Sequence, residues 1–172
     1  MDNPITKRAL EILEDFPIHY ELPASLGGKY HIGETARQHI ELAVNVMQHL
    51  CDEFNIKGSD RDLLIGATWL HDIGIYEISK KGNVKERGWK YFEATGYSKH
   101  TSSMKKHPIL GAYIISYYNI PRKKEVRNLI SVHMSHWYPN CPQPENLHEY
   151  LICTADYVAS RGKGILEYKG RK

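Results

Sequence analysis

The chain has 172 residues, a length that fits one domain, and a net charge of +3 that is too small to indicate a nucleic-acid-binding protein by itself. Its 41% hydrophobic and 25% charged residues are ordinary for a soluble globular protein, and three widely spaced cysteines, Cys51, Cys141 and Cys153, argue against a disulfide framework. Because we find no signal peptide and no apolar run of about 18 residues, we predict a cytoplasmic protein with no membrane partner.

The first predicted helix runs from Pro4 to Phe16, where apolar residues recur at the spacing of one helical face. Pro17 ends this helix because proline cannot donate the next backbone hydrogen bond. The mixed segment that follows predicts a connection. Its two histidines, His19 and His31, are expected at the surface rather than against a substrate.

The second predicted helix begins at Thr35 and Gln38, which fit a capping box in which each side chain bonds the backbone N–H of the other residue. The apolar pattern continues to about Phe54. His39 lies on the inward stripe of this helix, and a buried imidazole needs a polar partner.

The third predicted helix opens at a box-like start, Ser59 to Asp62, and its apolar face extends to His71. The adjacent His71 and Asp72 therefore fall near a helix C-terminus, and Gly74 is expected to let the backbone turn. An imidazole and a carboxylate that bend toward one ion can both ligate it. A His-Asp dipeptide alone is weak evidence for a metal site, because such pairs also occur by chance.

Between Glu77 and Lys106 the periodicity is poor and basic residues outnumber acidic ones, with aromatic side chains between them. Cations among aromatic rings suit a phosphorylated ligand that carries a base. The alternative interpretation is a short amphipathic helix, about Lys85 to Thr95, that fixes Trp89 to the core, and both interpretations can hold together.

The last part of the chain predicts three more helices. His107 and Pro108 open one of them, a second leads to His133, and the third carries Asp156 among apolar residues. A carboxylate on an apolar helical face is unfavourable unless it is paired or ligates a metal. From Arg161 the tail is basic, and we expect it to be frayed.

Six polar residues on predicted inward faces form a candidate metal site: His39, His71, Asp72, His107, His133 and Asp156. Helical bundles can build metal sites from side chains on facing helices. Imidazoles and carboxylates without thiolate suit Fe, Mn, Co, Ni or Zn. Six ligands are too many for one catalytic ion that keeps an open position but suit two divalent ions, with Asp72 as the bridge. A metal pair attracts anions, activates water and clamps an in-line displacement at phosphorus, which predicts cleavage of a phosphoester or phosphoanhydride.

This ordered pattern, including the run His71-Asp72-Ile73-Gly74, resembles the HD-domain metal-dependent phosphohydrolase superfamily in its HDIG subset and two-metal form. The segments HPILGAYII and TADYVASR are similar to bacterial HD hydrolases that cleave symmetrical dinucleoside tetraphosphates. The resemblance implies an all-α fold, the HD-domain orthogonal helical bundle, in a single domain over residues 1–172. Its core would span about 35–161, with a basic aromatic insertion at 77–106 and a basic tail at 162–172.

The resemblance also implies a division of ligands and a substrate. One ion would be held by His39, His71, Asp72 and Asp156. The other would be held by His107 and His133, with Asp72 bridging the two ions. The substrate would be a small nucleotide or dinucleotide, attacked by a metal-bridging hydroxide. Members often carry Lys after the HDIG run, where this chain has Ile75. That charge, which would contact substrate phosphate, would be replaced by one of five other cations: Lys80, Lys81, Lys105, Lys106 or Arg161.

Several alternatives stay open. His136, three residues after His133, is a candidate catalytic residue that could donate a hydrogen bond to a ligand, contact substrate, ligate a metal or lie at the surface. CRISPR-associated HD nucleases share a similar ligand set, so a single-strand nuclease is an alternative function, and some HD proteins are di-iron oxygenases. A nucleotide-binding sensor with a vestigial site is the non-enzyme alternative.

Overall fold

Regular structure in the computed structural model is helical, which confirms the all-α prediction. The structure describes residues 3–20, 24, 34–75, 107–139 and 141–169, without the side chains of residues 18 and 162–169. The elements are α1 (Pro4–Glu14), a short 3-10 helix (Pro17–Tyr20), α2 (Ala36–Glu53), α3 (Gly58–Leu70), α4 (residues 107–116), α5 (Lys123–Val132) and α6 (Leu147–Lys169). Within the described ranges, no helix is long and apolar enough to cross a membrane.

Helix α2 has the start and the buried face that its sequence predicts. The Thr35 hydroxyl accepts the Gln38 backbone N–H, and the Gln38 side chain accepts the Thr35 N–H, which completes the capping box. The inward stripe of α2 packs against α3 and α6. Its buried residues are Ala36, His39, Ile40, Ala43, Val44, Met47 and Cys51.

Helix α3 begins differently from the prediction. Its N-cap is Lys57, and no side chain caps it, so the box-like start at Ser59 does not form. Asp62 instead turns toward α1 and accepts the backbone N–H groups of Ile5 at 2.8 Å and Thr6 at 2.9 Å. These are donors of the first turn of α1, which lack partners within their own helix. A buried carboxylate of α3 therefore caps α1 from outside.

The close contact between α1 and α3 requires a glycine. A Cβ atom at Gly66 would lie 2.7 Å from Cγ2 of Ile5 and 3.1 Å from its carbonyl carbon. The two helices can approach this closely because α3 presents no side chain at that point. The contact fixes α3, whose C-terminus carries His71.

Helix α5 is tied to the start of α3 by one arginine. Arg122, in a left-handed conformation with φ of 52° just before α5, bonds Asp60 at 2.6 Å and also pairs with Glu125. These carboxylates hold the pKa of the Arg122 guanidinium above its usual value, so the charge persists. The pairing sets the position of α5, which leads to His133.

Helix α6 is longer than predicted. The sequence predicts a frayed tail from Arg161, whereas the helix continues to Lys169. The glycines at 162 and 164 lower helix propensity by roughly 1 kcal/mol each but do not prevent helical geometry. The insertion at 77–106, with its predicted short helix, and residues 170–172 of the tail lie outside the described residues.

We predict that Asp62→Ala lowers the free energy of unfolding by about 1–3 kcal/mol, because two N–H groups of α1 lose their acceptor. Asp62→Asn keeps one acceptor oxygen and should lose less. The control is Asp52→Ala, which removes an exposed carboxylate paired with Arg61 and should change stability by no more than about 1 kcal/mol. Urea denaturation measures all three variants, and equal losses at Asp62 and Asp52 would contradict the capping role.

Candidate metal centre

Two histidines occupy the C-cap positions of their helices. His71 is the C-cap of α3 and His133 the C-cap of α5. In each, Nδ1 lies 2.6 Å from the carbonyl oxygen three residues earlier, that of Thr68 for His71 and that of Ile130 for His133. A carbonyl oxygen only accepts, so Nδ1 carries the proton and donates. When such a ring is neutral, its Nε2 atom keeps the lone pair, and the bond to the carbonyl oxygen fixes the orientation of the ring.

One group of ligand atoms forms between α2 and the end of α3. Nε2 of His71 lies 3.3 Å from Nε2 of His39 and 3.4 Å from Oδ2 of Asp72, and His39 lies 3.8 Å from the same oxygen. These three residues form one of two buried sets, among the described residues, whose ligand atoms all lie within 4.8 Å of one another. Asp156 of α6 adjoins this set, with Oδ1 3.1 Å from His39 and 3.7 Å from His71. We call these four residues the first group.

The second group joins α4, α5 and the same aspartate. Nε2 of His107 lies 2.9 Å from Nε2 of His133, and Oδ1 of Asp72 lies 3.1 Å from His107 and 3.5 Å from His133. These ligand atoms form the other buried set within 4.8 Å. Asp72 thus presents Oδ2 to the first group and Oδ1 to the second. The structure brings together all six residues named from the sequence.

Burial and mutual contact set the charges of the two groups. Burial lowers the pKa of His71, which favours the neutral ring. For Asp72, burial acts to raise the pKa, but the neighbouring imidazoles of His71, His107 and His133 outweigh it and hold this pKa well below its usual value. For His39, burial acts to lower the pKa, but its hydrogen bond with Asp156 raises it overall. The same bond lowers the pKa of Asp156 against the effect of burial.

This donor set suits divalent metal ions. Nitrogen lone pairs and carboxylate oxygens face one another at distances where acceptors repel unless a proton or cation lies between them. Oδ2 of Asp156 is buried and has no hydrogen-bond partner among the described residues. An orphaned buried carboxylate oxygen is unfavourable without a partner. Imidazole and carboxylate together fit Fe, Mn, Co, Ni or Zn.

Gly74 positions the second group by close approach rather than by a turn. The sequence predicts that this glycine lets the backbone turn. Gly74 does not adopt the positive φ that favours glycine in turns, which among the described glycines occurs at Gly58. A Cβ atom at Gly74 would lie 2.1 Å from the carbonyl oxygen of His107 and 2.9 Å from the backbone nitrogen of Gly111. The start of α4 therefore rests directly on the backbone that follows Asp72, and His107 reaches Asp72 for that reason.

Cys153 links α6 to the residues around His133. Its thiol donates to the carbonyl oxygen of Val132 at 3.2 Å, and Ser135 lies 3.1 Å from its sulfur. The Cys153 side chain is fully buried, and it joins α6, the helix of Asp156, to the last residue of α5, a contact that periodicity does not reveal.

The remaining predicted site residues are placed as follows. His136 is exposed and meets the edge of the Tyr157 ring at 5.9 Å, outside both groups. Arg161 is half-buried and contacts the rings of Trp137 and Tyr157. The predicted phosphate contacts Lys80, Lys81, Lys105 and Lys106 lie outside the described residues, as does His31.

The prediction that His19 lies at the surface is wrong. The side chain is fully buried, and its ring stacks near Tyr20 at 4.2 Å between centroids. Burial, helped by the charge of Arg37, lowers its pKa. The Arg37 guanidinium in turn lies over the rings of Tyr20 and Trp69. The surrounding segment has no periodicity, so no sequence signal indicated this packing.

A model of the HD domain family matches residues 36–161 of the chain. This range begins at the first residue of α2 and includes all six residues of the two groups. No curated protein and no solved structure matches the chain.

We predict that Gly74→Ala destabilises the fold by about 1–3 kcal/mol or more, because the new methyl group meets backbone atoms that cannot rotate away. It should also weaken binding of a divalent ion at the second group by displacing His107. The control is Gly58→Ala, where the added methyl has open space and only the positive φ of 58° is strained, at roughly 1 kcal/mol. Urea denaturation and metal titration measure both effects, and equal metal affinity in the two variants would show that Gly74 does not position His107.

Proposed function

The chain belongs to the HD domain family, and from this premise we propose that it is a phosphohydrolase that cleaves a phosphoester or phosphoanhydride bond of a nucleotide or dinucleotide. HD domains are generally metal-dependent hydrolases, with the orthogonal helical bundle as their fold. The observation that carries the proposal is the position of Asp72, whose two oxygens face two separate sets of imidazoles. A single carboxylate shared in this way suits a pair of ions and hydrolysis at phosphorus.

We assign metal ligation to the six residues of the two groups. His39, His71 and Asp156, with Oδ2 of Asp72, would hold one divalent ion, and His107 and His133, with Oδ1 of Asp72, the other. When bound, such a pair supplies a water of lowered pKa and positive charge for the phosphoryl oxygens. The carbonyl oxygens of Thr68 and Ile130 keep the rings of His71 and His133 in the ligating tautomer.

Phosphate recognition by this chain needs cations other than a lysine after Gly74, since Ile75 stands there. Arg161 is the described candidate, because it lies on α6 five residues after Asp156 and is oriented by two aromatic rings. Lys80, Lys81, Lys105 and Lys106 are proposed for the same role from their sequence position alone. The narrower proposals, the HDIG subset and dinucleoside tetraphosphates as substrates, rest on sequence likeness in HPILGAYII and TADYVASR.

The proposed role of His136 is contact with substrate. Among the described residues it makes no hydrogen bond to either group, which argues against a donor role toward a ligand. Its ring lies beside Tyr157, the residue that follows Asp156. An exposed imidazole at this place can exchange protons with a leaving group, which is the catalytic role we propose for it.

The proposal is tested by metal analysis of unchelated protein and by a screen of nucleotides, dinucleotides, cyclic dinucleotides and short single strands. We expect phosphate release that stops on chelation and returns with a transition-metal ion.

Asp72→Ala should abolish turnover while far-UV circular dichroism stays unchanged, and Asp52→Ala should keep full activity because its carboxylate is exposed. Full activity of Asp72→Ala would refute the assigned role. Strict iron dependence with oxygen uptake, or cleavage of single strands alone, would replace the proposal by an oxygenase or a nuclease.

The number of metal ions bound by variants tests the division of the ligands into two groups. His133→Ala should reduce binding from two ions to one, since the first group keeps its ligands, whereas Asp72→Ala should weaken both sites. Metal-free protein titrated with Mn²⁺ or Co²⁺ and followed by calorimetry measures this difference. His49→Ala, which changes an exposed histidine of α2, should bind two ions. One ion in the unaltered protein, or identical losses in all three variants, would contradict the division into two groups.

A further inference from the structure

A cluster of rings and one cation is formed by residues that follow members of the two groups in the chain and are not among the six proposed ligands. The rings of Trp137 and Tyr157 are 5.2 Å apart between centroids and inclined by 34°. The Arg161 guanidinium carbon lies 4.9 Å from the centre of the Trp137 ring and 5.5 Å from that of Tyr157. The His136 ring meets Tyr157 edge-on at 5.9 Å. We call His136, Trp137, Tyr157 and Arg161 the aromatic platform.

The aromatic platform is not part of the hydrophobic core. Tyr157 is 42% exposed and His136 is also exposed, while Trp137 and Arg161 are half-buried. Exposed cation–π contacts stabilise a fold only slightly. Large rings left partly in water and held in a defined arrangement by a cation are therefore better explained by a ligand than by folding.

The aromatic platform adjoins both groups through the chain itself. Tyr157 directly follows Asp156 of the first group, and Trp137 comes four residues after His133 of the second. Arg161 lies five residues after Asp156 on α6, about 7.5 Å further along the helix axis. Because consecutive Cα atoms are about 3.8 Å apart, Tyr157 is within reach of a nucleotide whose phosphate lies at the first group. A molecule whose phosphate reaches the metal centre can therefore place its base over these rings.

We propose that the aromatic platform is a nucleobase-binding subsite of the same active site. A base stacks against the solvent-exposed parts of Tyr157 and Trp137, whose positions Arg161 fixes. The inference rests on the proposed phosphohydrolase function and assigns the binding of the nucleotide's base to named side chains. Stacking tolerates any base, since every base has a π-face, so we expect little preference among the four.

The experiment compares two probes that share a sugar phosphate and differ by the base. Isothermal titration calorimetry in the presence of Mn²⁺ measures the affinity of the protein for AMP and for ribose 5-phosphate. We expect AMP to bind roughly tenfold or more tightly, the factor that one stacked base supplies. Equal affinities for the two probes would overturn the subsite.

Variants locate the base on the rings. Trp137→Ala and Tyr157→Ala should each bring the affinity ratio of AMP to ribose 5-phosphate toward one, while Tyr157→Phe, which keeps the ring, should preserve it. The matched control is Tyr150→Ala, which removes a 52% exposed tyrosine two turns earlier on the same helix and should leave the ratio unchanged. If Trp137→Ala is unstable in urea denaturation, Trp137→Phe replaces it and should lower the ratio only partly.

The outcomes separate this subsite from the function on which it rests. Hydrolysis of a base-free phosphoester at the rate found for nucleotides, with equal binding of both probes, would overturn the subsite and leave the phosphohydrolase standing. A base-dependent ratio that survives in both alanine variants would also overturn it. Failure to bind two ions or to hydrolyse any phosphoester would instead overturn the function, whatever the ratio.

Discussion

The metal centre depends on two histidines at helix ends, His71 and His133, whose Nε2 lone pairs point toward a common centre. His71 and His133 are held by hydrogen bonds from Nδ1 to carbonyl oxygens of their own last helical turns, so neither ring can turn its lone pair away. The carboxylate of Asp72 lies between them. Lone pairs and a carboxylate held this close repel one another unless a proton or a cation lies between them. The rest of the bundle can be understood as the frame that keeps these ends together.

That frame relies on contacts at helix ends as much as on the core. Asp62 closes the start of α1, Arg122 ties α5 to the start of α3, and Cys153 joins α6 to the residue before His133. Gly74 allows α4 to lie directly on the backbone after Asp72. Each contact fixes a segment that carries a member of the two groups. Rigid support of this kind is needed because ligand geometry tolerates only small displacements.

How much the sequence predicts depends on whether the signal is local. Periodicity and a capping box are local, and they correctly predict α2 and the inward position of His39. The six polar residues are recognised because each interrupts an apolar face and because their order matches a known pattern.

The cap that Asp62 provides to Ile5 joins residues 57 positions apart, and nothing in the residues around Asp62 distinguishes it from an ordinary first-turn acid. His19 is buried for a similar reason, because its neighbours come from other parts of the chain. Gly74 fits both a turn and a close approach, and only the position of α4 decides between them.

The two groups differ in their number of carboxylates, and this difference bears on how the proposed pair of ions would act. In the first group two carboxylates, of Asp72 and Asp156, contact the imidazoles, and the charge of the buried Glu34 also reaches His39. The second group has two imidazoles and shares Asp72. If these residues are the ligands, the first ion is the more strongly attracted, because it meets more negative charge. The second ion would have fewer protein ligands and more open coordination positions, and open positions are where substrate oxygens can bind. The unequal donor sets therefore favour a division in which one ion is held firmly and the other is more available to the phosphate.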